Sequence, residues 1–268
     1  MTRITRRIAN SVKYRVLLAR QAMERLWFLT PEGSRHRRRL AELRSAYLGR
    51  RCFVICNGPS LKRTDIRLIR DEVTIGSNAI FLLFDETGFR PTFLTVEDQL
   101  VAEDRAGELN ELRGVRKVFP RDLAHALRAD DDTTYVHFVR HYPFPRFSPA
   151  FESRAYWGGT VTFFNLQLAY HLGCDPIYLI GCDHNYVVPP NLQSSVITSG
   201  EDDVNHFHPG YFGKGYRWHD PQVDRMEAAY RAAKDFLDAH AVRVFNATDG
   251  GKLEVFPRVR YGDVVGGR

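Results

Sequence analysis

The sequence predicts a Rossmann-like α/β fold, a doubly wound and mostly parallel sheet preceded by a basic helical extension. From residue 51 onward, short apolar runs alternate with segments of helical periodicity, which is typical of strand–helix–strand units. Several of those runs end in glycine or small polar residues, as strands do where ligand-binding loops follow them. The first 51 residues differ from the rest because they are strongly basic and periodic as helices.

Residues 1–49 are predicted to form a basic amphipathic extension of one or two helices. Over residues 3–29 apolar side chains recur every three or four positions, at Ile4, Ile8, Val12, Val16, Ala19, Met23 and Leu26. Arginines and Lys13 lie between them, and Thr30-Pro31 is expected to end the helix after Trp27-Phe28. A second basic helix is predicted over residues 34–48.

Residues 50–268 are predicted to form a single Rossmann-like catalytic domain. Strands are expected at residues 52–56, 73–75, 92–96, 116–119, 134–138, 177–181 and 242–245, and helices at 61–70, 99–112, 121–128, 160–172 and 221–240. Residues 186–218 are long, irregular and rich in aromatic residues and histidine. Such a segment within a compact domain favours an active-site lid.

The first apolar run breaks into Asn57-Gly58-Pro59-Ser60, which is the most informative motif of the chain. Gly58 allows a close backbone approach, and Ser60 is placed to cap a following helix whose amides face an anion. The motif is consistent with a nucleotide-phosphate loop and equally with a plain strand-to-helix turn. Neither of the standard phosphate signatures, GxGxxG or GxxxxGK[ST], occurs in the sequence.

Other predicted strands also end in small or polar residues. In a parallel sheet these ends meet at one edge, so a shared small-molecule site is expected there. Gly158-Gly159-Thr160 precedes an apolar helix and supplies amides at its N-terminus. The remaining members of the set are Asn78, Glu97, Asp98, Asp183, Asn185 and Tyr186.

A histidine is the best candidate for a general acid or base near neutral pH. His206, His208 and His219 fall in or beside the lid, and His219 is preferred because it directly precedes Asp220-Pro221, a helix-start signal. Lid groups available to neutralise or hydrogen-bond a leaving phosphate are Tyr211, Lys214, Tyr216 and Arg217. No metal site is predicted, because the His206/His208 pair has no matching third ligand.

The net charge of +6 is unevenly distributed. Residues 1–51 hold 14 Lys/Arg against three acids, a surplus of +11, whereas the rest holds 24 against 29, a balance of −5. This distribution disfavours a nucleic-acid groove. Residues 1–30 are expected to dock on an anionic membrane surface, the alternative being a helix packed on the domain.

The compartment expected from the sequence is the cytoplasm, at the inner face of the plasma membrane. The four cysteines fit neither a disulfide framework nor a zinc site and are predicted to be reduced. No apolar run is long enough for a transmembrane helix, and the N-terminus does not resemble a secretory signal.

The motif order resembles that of a known family, the 6-hydroxymethylpterin diphosphokinase MptE-like family. The residues that carry the resemblance are Ile55-Cys-Asn-Gly-Pro-Ser-Leu61, Gly76-Ser-Asn-Ala79, Trp157-Gly-Gly-Thr-Val161 and Tyr178-Leu-Ile-Gly-Cys-Asp-His184. The tail from Asn246 to Pro257 looks like the family's bacterial branch, often found among polysaccharide genes. The same skeleton, about residues 50–260, is similar to the bacterial CMP-sialic acid sialyltransferases.

The sialyltransferase resemblance implies roles for particular residues. Asn57, Gly58 and Ser60 would hold the nucleotide phosphate and ribose, with Asn78, Asp98 and Gly159-Thr160 nearby. Asn185 or Tyr186 would lie near the leaving phosphate, and a lid histidine would be the base. The archaeal pterin enzymes use ATP and Mg²⁺, and for that chemistry Asp98 and Asp183 would be the metal ligands.

The function expected is therefore a nucleotide-dependent transferase. A glycosyltransferase that uses a CMP-type sugar in surface polysaccharide or glycolipid synthesis is favoured, and it would need no metal cofactor. Its partners would be a nucleotide-sugar donor and a glycan or lipid-linked acceptor. The alternatives are an ATP- and Mg²⁺-dependent diphosphokinase and a non-catalytic nucleotide-binding protein.

Overall fold

The computed structural model describes residues 3–188 and 195–266, with side chains from Arg15 onward. Within these residues one sheet has seven strands, all parallel, in the order β7-β6-β1-β2-β3-β4-β5. The strands are β1 (Cys52–Ile55), β2 (Val73–Ser77), β3 (Phe93–Thr95), β4 (Arg116–Pro120), β5 (Thr133–Val136), β6 (Ile177–Ile180) and β7 (Val244–Asn246). Each coincides with a predicted strand, so the predicted Rossmann-like α/β class is confirmed.

Strand β1 lies in the middle of the sheet, with Cys52 paired to Val73 of β2 on one side and to Ile177 of β6 on the other. Its four residues are fully buried, as expected of a parallel strand covered on both faces. The chain runs outward from β1 to β5 and then returns to place β6 on the other side of β1. The strand order therefore reverses between β1 and β6, and ligands bind outside the carboxyl ends at such a point.

Helices cover both faces of the sheet. They are α1 (Arg3–Trp27), α2 (Pro31–Leu43), α3 (Phe84–Thr87), α4 (Gln99–Asp104), α5 (Ala106–Glu111), α6 (Val161–His171), α7 (Val223–Ala239) and α8 (Tyr261–Gly266). On one face α2, α6 and α7 bury a core that includes Val54. On the other, the segments from residue 59 to 127 and α8 bury a core that includes Phe53. Alternate residues of β1 thus supply both cores.

Several predicted helices are shorter than expected. The predicted helix 61–70 is two 3₁₀ helices, Pro59–Arg63 and Ile66–Ile69, because Asp65 caps the second one by accepting from Arg67 N. The predicted helix 99–112 divides into α4 and α5 at Arg105, and the predicted helix 121–128 is a 3₁₀ turn at Arg121–Leu123. The 3₁₀ helix Asn78–Leu83 and helices α3 and α8 were not predicted, since elements this short show no clear periodicity.

The second N-terminal helix begins earlier and ends earlier than predicted. Thr30 caps α2 by accepting from Gly33 N, and Pro31 occupies its first turn. Leu40 is fully buried, and His36 Nδ1 accepts from Tyr135 N of β5, so α2 packs on the sheet. The apolar and basic positions predicted in α1 before Arg15 lie outside the described side chains.

In its described residues, 186–188 and 195–218, the predicted lid is irregular apart from one short hairpin. Residues 196–198 pair antiparallel with residues 217–219, and residues 189–194 lie outside the described part. A second pair of short strands, Phe138–Val139 and Ala155–Tyr156, lies beyond β5 and leads towards α6. In the described ranges no helix has the length and apolar character needed to cross a bilayer.

Candidate active site

A cavity of about 450 Å³ lies at the carboxyl ends of the strands, where the strand order reverses. The loops after β1, β2, β3 and β6, the N-terminus of α6 and described residues of the lid all contribute to its wall. Predicted site residues in the lining are Asn57, Gly58, Asn78, Asp98, Gly159, Thr160, Asp183, Asn185, Tyr186, His206 and His219. Pro59, Ser60, Gly158 and His208, also predicted, do not line it.

Asp183 joins the loop after β6 to the loop after β1. Its Oδ2 accepts from Ser60 Oγ at 2.7 Å and from Ser60 N at 3.2 Å. The carboxylate therefore occupies the N-terminus of the 3₁₀ helix Pro59–Arg63, the place where the sequence suggested a substrate phosphate. The Asp183 carboxylate already accepts the hydrogen bonds that Ser60 N and Oγ donate, so these donors are not free for a substrate phosphate. Ser60 itself is buried behind the cavity wall rather than in it.

Gly58 permits this contact. A Cβ on Gly58 would lie 1.9 Å from Asp183 Oδ2 and 2.7 Å from Gly181 O. We expect Gly58→Ala to lower the free energy of unfolding by about 1–3 kcal/mol, because the two loops must separate to admit the methyl group. Urea denaturation measures this loss.

The matched control for that substitution is Gly107→Ala in α5, where a Cβ would meet nothing within 4 Å. It should be neutral or stabilising by up to about 1 kcal/mol, since alanine favours a helix more than glycine does. Equal losses from both substitutions would contradict the close approach at Gly58.

His219 and Asp98 form a hydrogen-bonded pair in the cavity. His219 Nδ1 lies 3.0 Å from Asp98 Oδ2, while Asp98 Oδ1 caps α4 by accepting from Leu100 N at 2.7 Å. The cap fixes the carboxylate, which in turn fixes the ring. An Nδ1–H that donates to Asp98 leaves Nε2 to accept a proton, as a general base requires.

The pair shifts both of its pKa values towards the ionised forms. The hydrogen bond to Asp98 raises the pKa of His219, although partial burial acts in the opposite direction. Burial acts to raise the pKa of Asp98, but the hydrogen bond and the charge of His219 outweigh it, so that pKa is lowered. An imidazolium formed at His219 is therefore stabilised by the carboxylate beside it.

Glu97, next to Asp98, is a buried carboxyl group in the cavity wall. Burial raises its pKa to about 7, and the charge of Arg140 only partly offsets that effect. Arg140 Nη2 donates to the Glu97 carbonyl oxygen at 2.9 Å, and its Nη1 lies 3.7 Å from Glu97 Oε2. Arg140 also pairs with Asp122, so its guanidinium is held at the cavity by two acidic residues.

A second histidine of the lid is also oriented by a carboxylate. His206 Nδ1 lies 2.7 Å from Asp203 Oδ2, and its ring stacks on Tyr211 at a centroid distance of 4.0 Å. His208 instead accepts from Gly210 N within a turn of the lid. Of the three histidines that the sequence proposes, His206 and His219 reach the cavity and His208 does not.

Several buried polar atoms in the cavity wall have no hydrogen-bond partner. Among the described side chains of the lining these are Asn57 Oδ1, Asn78 Oδ1, Glu97 Oε2, Tyr211 Oη and both ring nitrogens of His184. Buried polar groups are nearly always paired in folded proteins. Unpaired polar atoms grouped around one cavity are expected where a bound polar ligand forms the missing hydrogen bonds.

The basic lid residues that the sequence proposes for a leaving phosphate, Lys214 and Arg217, lie outside the cavity lining. Arg217 is held by Asp104 and Glu103 of α4, with Nη2 at 2.9 Å from Glu103 Oε2, and so fastens the lid to the domain. Tyr216 packs under Arg105, whose guanidinium carbon is 3.8 Å from the ring centroid. Lys214 is exposed and outside the lining. Of the described arginines, Arg140 lies in the cavity lining and Arg217 does not.

The carboxylates proposed as magnesium ligands for the diphosphokinase alternative do not form a prebuilt metal site. The Asp98 carboxylate is hydrogen-bonded to His219 and to the first turn of α4, and the Asp183 carboxylate is hydrogen-bonded to Ser60. Across residues 3–188 and 195–266 no group of three or more His, Cys, Asp or Glu residues is arranged to hold a metal ion.

Sequence reasoning missed several lining residues. Arg140 follows the short strand Phe138–Val139, and Trp157 and Tyr230 line the wall near α6 and α7. Glu97 was visible as a polar residue at a strand end, yet its burial was not. The sequence signal for Arg140 was that it closely follows the predicted strand 134–138. That signal is weak, because an arginine in a loop after a strand need not face a binding site.

Comparisons with known proteins identify a family and a similar solved structure. A family model described as 6-hydroxymethylpterin diphosphokinase MptE-like matches residues 32–188. Among solved structures, the MAf glycosyltransferase from Magnetospirillum magneticum AMB-1 is similar at 19% sequence identity and a TM-score of 0.48. That match covers 79% of this chain and 34% of the other, so this chain spans about a third of its length. No curated protein matches the chain.

Proposed function

Because the chain belongs to the 6-hydroxymethylpterin diphosphokinase MptE-like family, we propose that it is a nucleotide-dependent transferase that moves a sugar from a CMP-type donor to an acceptor hydroxyl. The family membership confirms the resemblance that the motifs carry. The observation that carries the choice of reaction is the His219–Asp98 pair in a cavity at the point of strand-order reversal. An oriented imidazole of this kind suits deprotonation of a hydroxyl.

In the proposed reaction His219 Nε2 takes the proton of the acceptor hydroxyl. The acceptor oxygen then forms a bond to the anomeric carbon of the donor sugar, and the bond from that carbon to the phosphate oxygen breaks. The nucleoside monophosphate leaves with the bonding electrons. Arg140 and the Tyr186 hydroxyl, both in the lining, supply charge and a hydrogen bond to that phosphate.

The charge of the cavity supports a donor with a single phosphate. Its described lining contains four carboxyl groups, at Glu97, Asp98, Asp183 and Asp220, against one arginine, Arg140. A triphosphate would bring several negative charges beside these carboxylates and would need a cation to accompany it. A CMP-type donor carries one phosphodiester charge, which one guanidinium can pair.

Turnover of CMP-activated sugars in EDTA and in Mg²⁺ tests this proposal. We expect release of CMP, accelerated by a glycan or lipid-linked acceptor, at similar rates in both conditions. Activity with ATP that requires Mg²⁺ would instead establish the diphosphokinase alternative. Tight nucleotide binding without turnover of any donor would establish a binding protein.

The proposed acceptors are the growing glycans of a surface polysaccharide or a glycolipid, made on the cytoplasmic side. The cavity wall combines polar groups with the aromatic side chains Trp157, Phe212 and Trp218. Aromatic faces beside hydrogen-bonding groups suit a sugar, whose rings have apolar and polar sides. The same turnover assay with and without an added glycan measures the acceptor's contribution.

A further inference from the structure

Helix α1 contacts the domain along one narrow face. Gln21 Oε1 accepts from Arg140 N at 3.1 Å and from His141 N at 3.2 Å, and Gln21 Nε2 donates to His141 O. Glu24 is partly buried near Arg121, and Phe28, just past the helix, is buried in a core. The described part of α1 is therefore attached to the domain through positions 21, 24 and 28, which recur as one helical face. Trp27, the last residue of the helix, also packs on the domain, with its ring centroid 4.3 Å from the guanidinium carbon of Arg121.

The apolar stripe of α1 lies on the other side. Val16, Met23 and Leu26 are 54%, 65% and 54% exposed, and Ala19 between them is exposed as well. At 3.6 residues per turn these four positions share one face, nearly opposite to positions 21, 24 and 28. These four side chains therefore do not pack on the domain.

Arginines border this exposed stripe. Arg15 and Arg20 lie on either side of it around the helix, and both are exposed. The charge surplus of residues 1–51 is +11. A second copy placed against the stripe would bring an equal positive charge to it, whereas anionic lipid headgroups would neutralise that charge. An apolar stripe with a basic border is the surface that interfacial helices present to a bilayer.

From these observations we propose that α1 docks the protein on an anionic membrane surface. Val16, Ala19, Met23 and Leu26 enter the headgroup region, and the bordering arginines pair with lipid phosphates. Because Gln21 ties the opposite face to the backbone at Arg140, the helix is a fixed part of the domain rather than a loose tether. Docking then holds the cavity in a fixed relation to the bilayer, where lipid-linked molecules are presented.

Co-sedimentation of the full-length protein with lipid vesicles tests the docking surface. We expect binding to phosphatidylcholine vesicles that contain phosphatidylserine, and little binding to phosphatidylcholine alone. Raising the salt should release much of the protein, because the Debye length is about 8 Å at physiological ionic strength and shorter at higher salt. The test needs no turnover, so it stands apart from the proposed reaction.

Substitutions in the stripe localise the effect. The double change Met23→Glu and Leu26→Glu should weaken vesicle binding by at least about tenfold, since it places charge where lipid contact is proposed. Leu68→Glu is the matched control, because Leu68 is 52% exposed and belongs to the 3₁₀ helix Ile66–Ile69 rather than to α1. It should bind vesicles as the unaltered protein does.

Three results would overturn the proposal. The first is sedimentation of the full-length protein equally with both kinds of vesicle, or with neither, at low salt. The second is that Leu68→Glu weakens binding as much as the double change, while circular dichroism shows both variants folded. The third is that the double change abolishes self-association and leaves vesicle binding unaltered, in which case a second copy of the chain covers the stripe.

Discussion

Replacing His219 by alanine is expected to lower kcat of sugar transfer by about 10²- to 10⁴-fold, the range lost with a general base. Donor affinity should change little, because the acceptor proton rather than the nucleotide is the group that His219 serves. Steady-state kinetics and equilibrium binding of CMP measure the two effects separately.

The rate of sugar transfer should depend on pH through the protonation of His219. Asp98 raises the pKa of His219 above its usual value of 6.5, so the ring stays protonated, and unable to accept a proton, to a higher pH than an ordinary histidine. The acid limb of kcat/KM should therefore lie above pH 6.5 in the unaltered enzyme. Asp98→Asn should move that limb to lower pH and reduce kcat, because the ring loses both its charge partner and its orienting bond.

Two histidine substitutions serve as controls. His208→Ala and His240→Ala remove side chains that lie outside the cavity lining, and both should retain most of the activity. A larger loss from His206→Ala than from His219→Ala would contradict the assignment, and the base would then be the histidine held by Asp203.

Replacing Glu97 by glutamine is expected to stabilise the protein at alkaline pH by up to about 3 kcal/mol. Burial raises the pKa of Glu97 from 4.5 to about 7, so the folded state keeps a proton that the unfolded state has already lost. Stability should therefore fall as pH rises from about 4.5 to 7, and glutamine, which does not ionise, removes that loss.

Urea denaturation at pH 4 and pH 8 checks this expectation. The gain from Glu97→Gln should appear at pH 8 and be small at pH 4, where the glutamate is protonated in both states. Glu111→Gln, at an exposed position at the end of α5, should give no pH-dependent gain. Destabilisation by Glu97→Gln at pH 8 would mean that the charged carboxylate is needed to hold Arg140.

The sheet was predictable because its strands obey local rules. Runs such as Cys52–Ile55 and Ile177–Ile180 are apolar at every position, which only a strand covered on both faces requires. Parallel strands also bring their carboxyl ends to one edge, so the convergence of Asn57, Asn78, Asp98 and Asp183 followed from the fold alone. The helices were less predictable where a residue with distant contacts interrupts them. The predicted helix 99–112 divides at Arg105, whose Nη2 donates to the carbonyl oxygens of Gly210 and Tyr211 in the lid.

Much of the site depends on contacts between distant parts of the chain. Ser60 and Asp183 are 123 residues apart, and nothing in either local sequence shows that the carboxylate occupies the helix start. The sequence indicated Arg217 for a leaving phosphate and did not identify Arg140. Arg217 forms an ion pair with Asp104 of α4 and therefore fastens the lid to the domain. Arg140 lies 3.7 Å from the buried carboxyl group of Glu97 and is therefore held at the cavity.

The central claim, that this cavity binds a nucleotide with a single phosphate, is tested most directly by nucleotide-induced stabilisation. Tm should be measured with CMP, CDP, UDP, GDP and ATP, each in EDTA and in Mg²⁺, for the unaltered protein and for Asn78→Leu. The account predicts that CMP raises Tm equally in both conditions, by the equivalent of about 2.7 kcal/mol at a hundredfold excess over Kd, and that Asn78→Leu loses the effect. A rise seen only with ATP and Mg²⁺, or with no nucleotide at all, would contradict it.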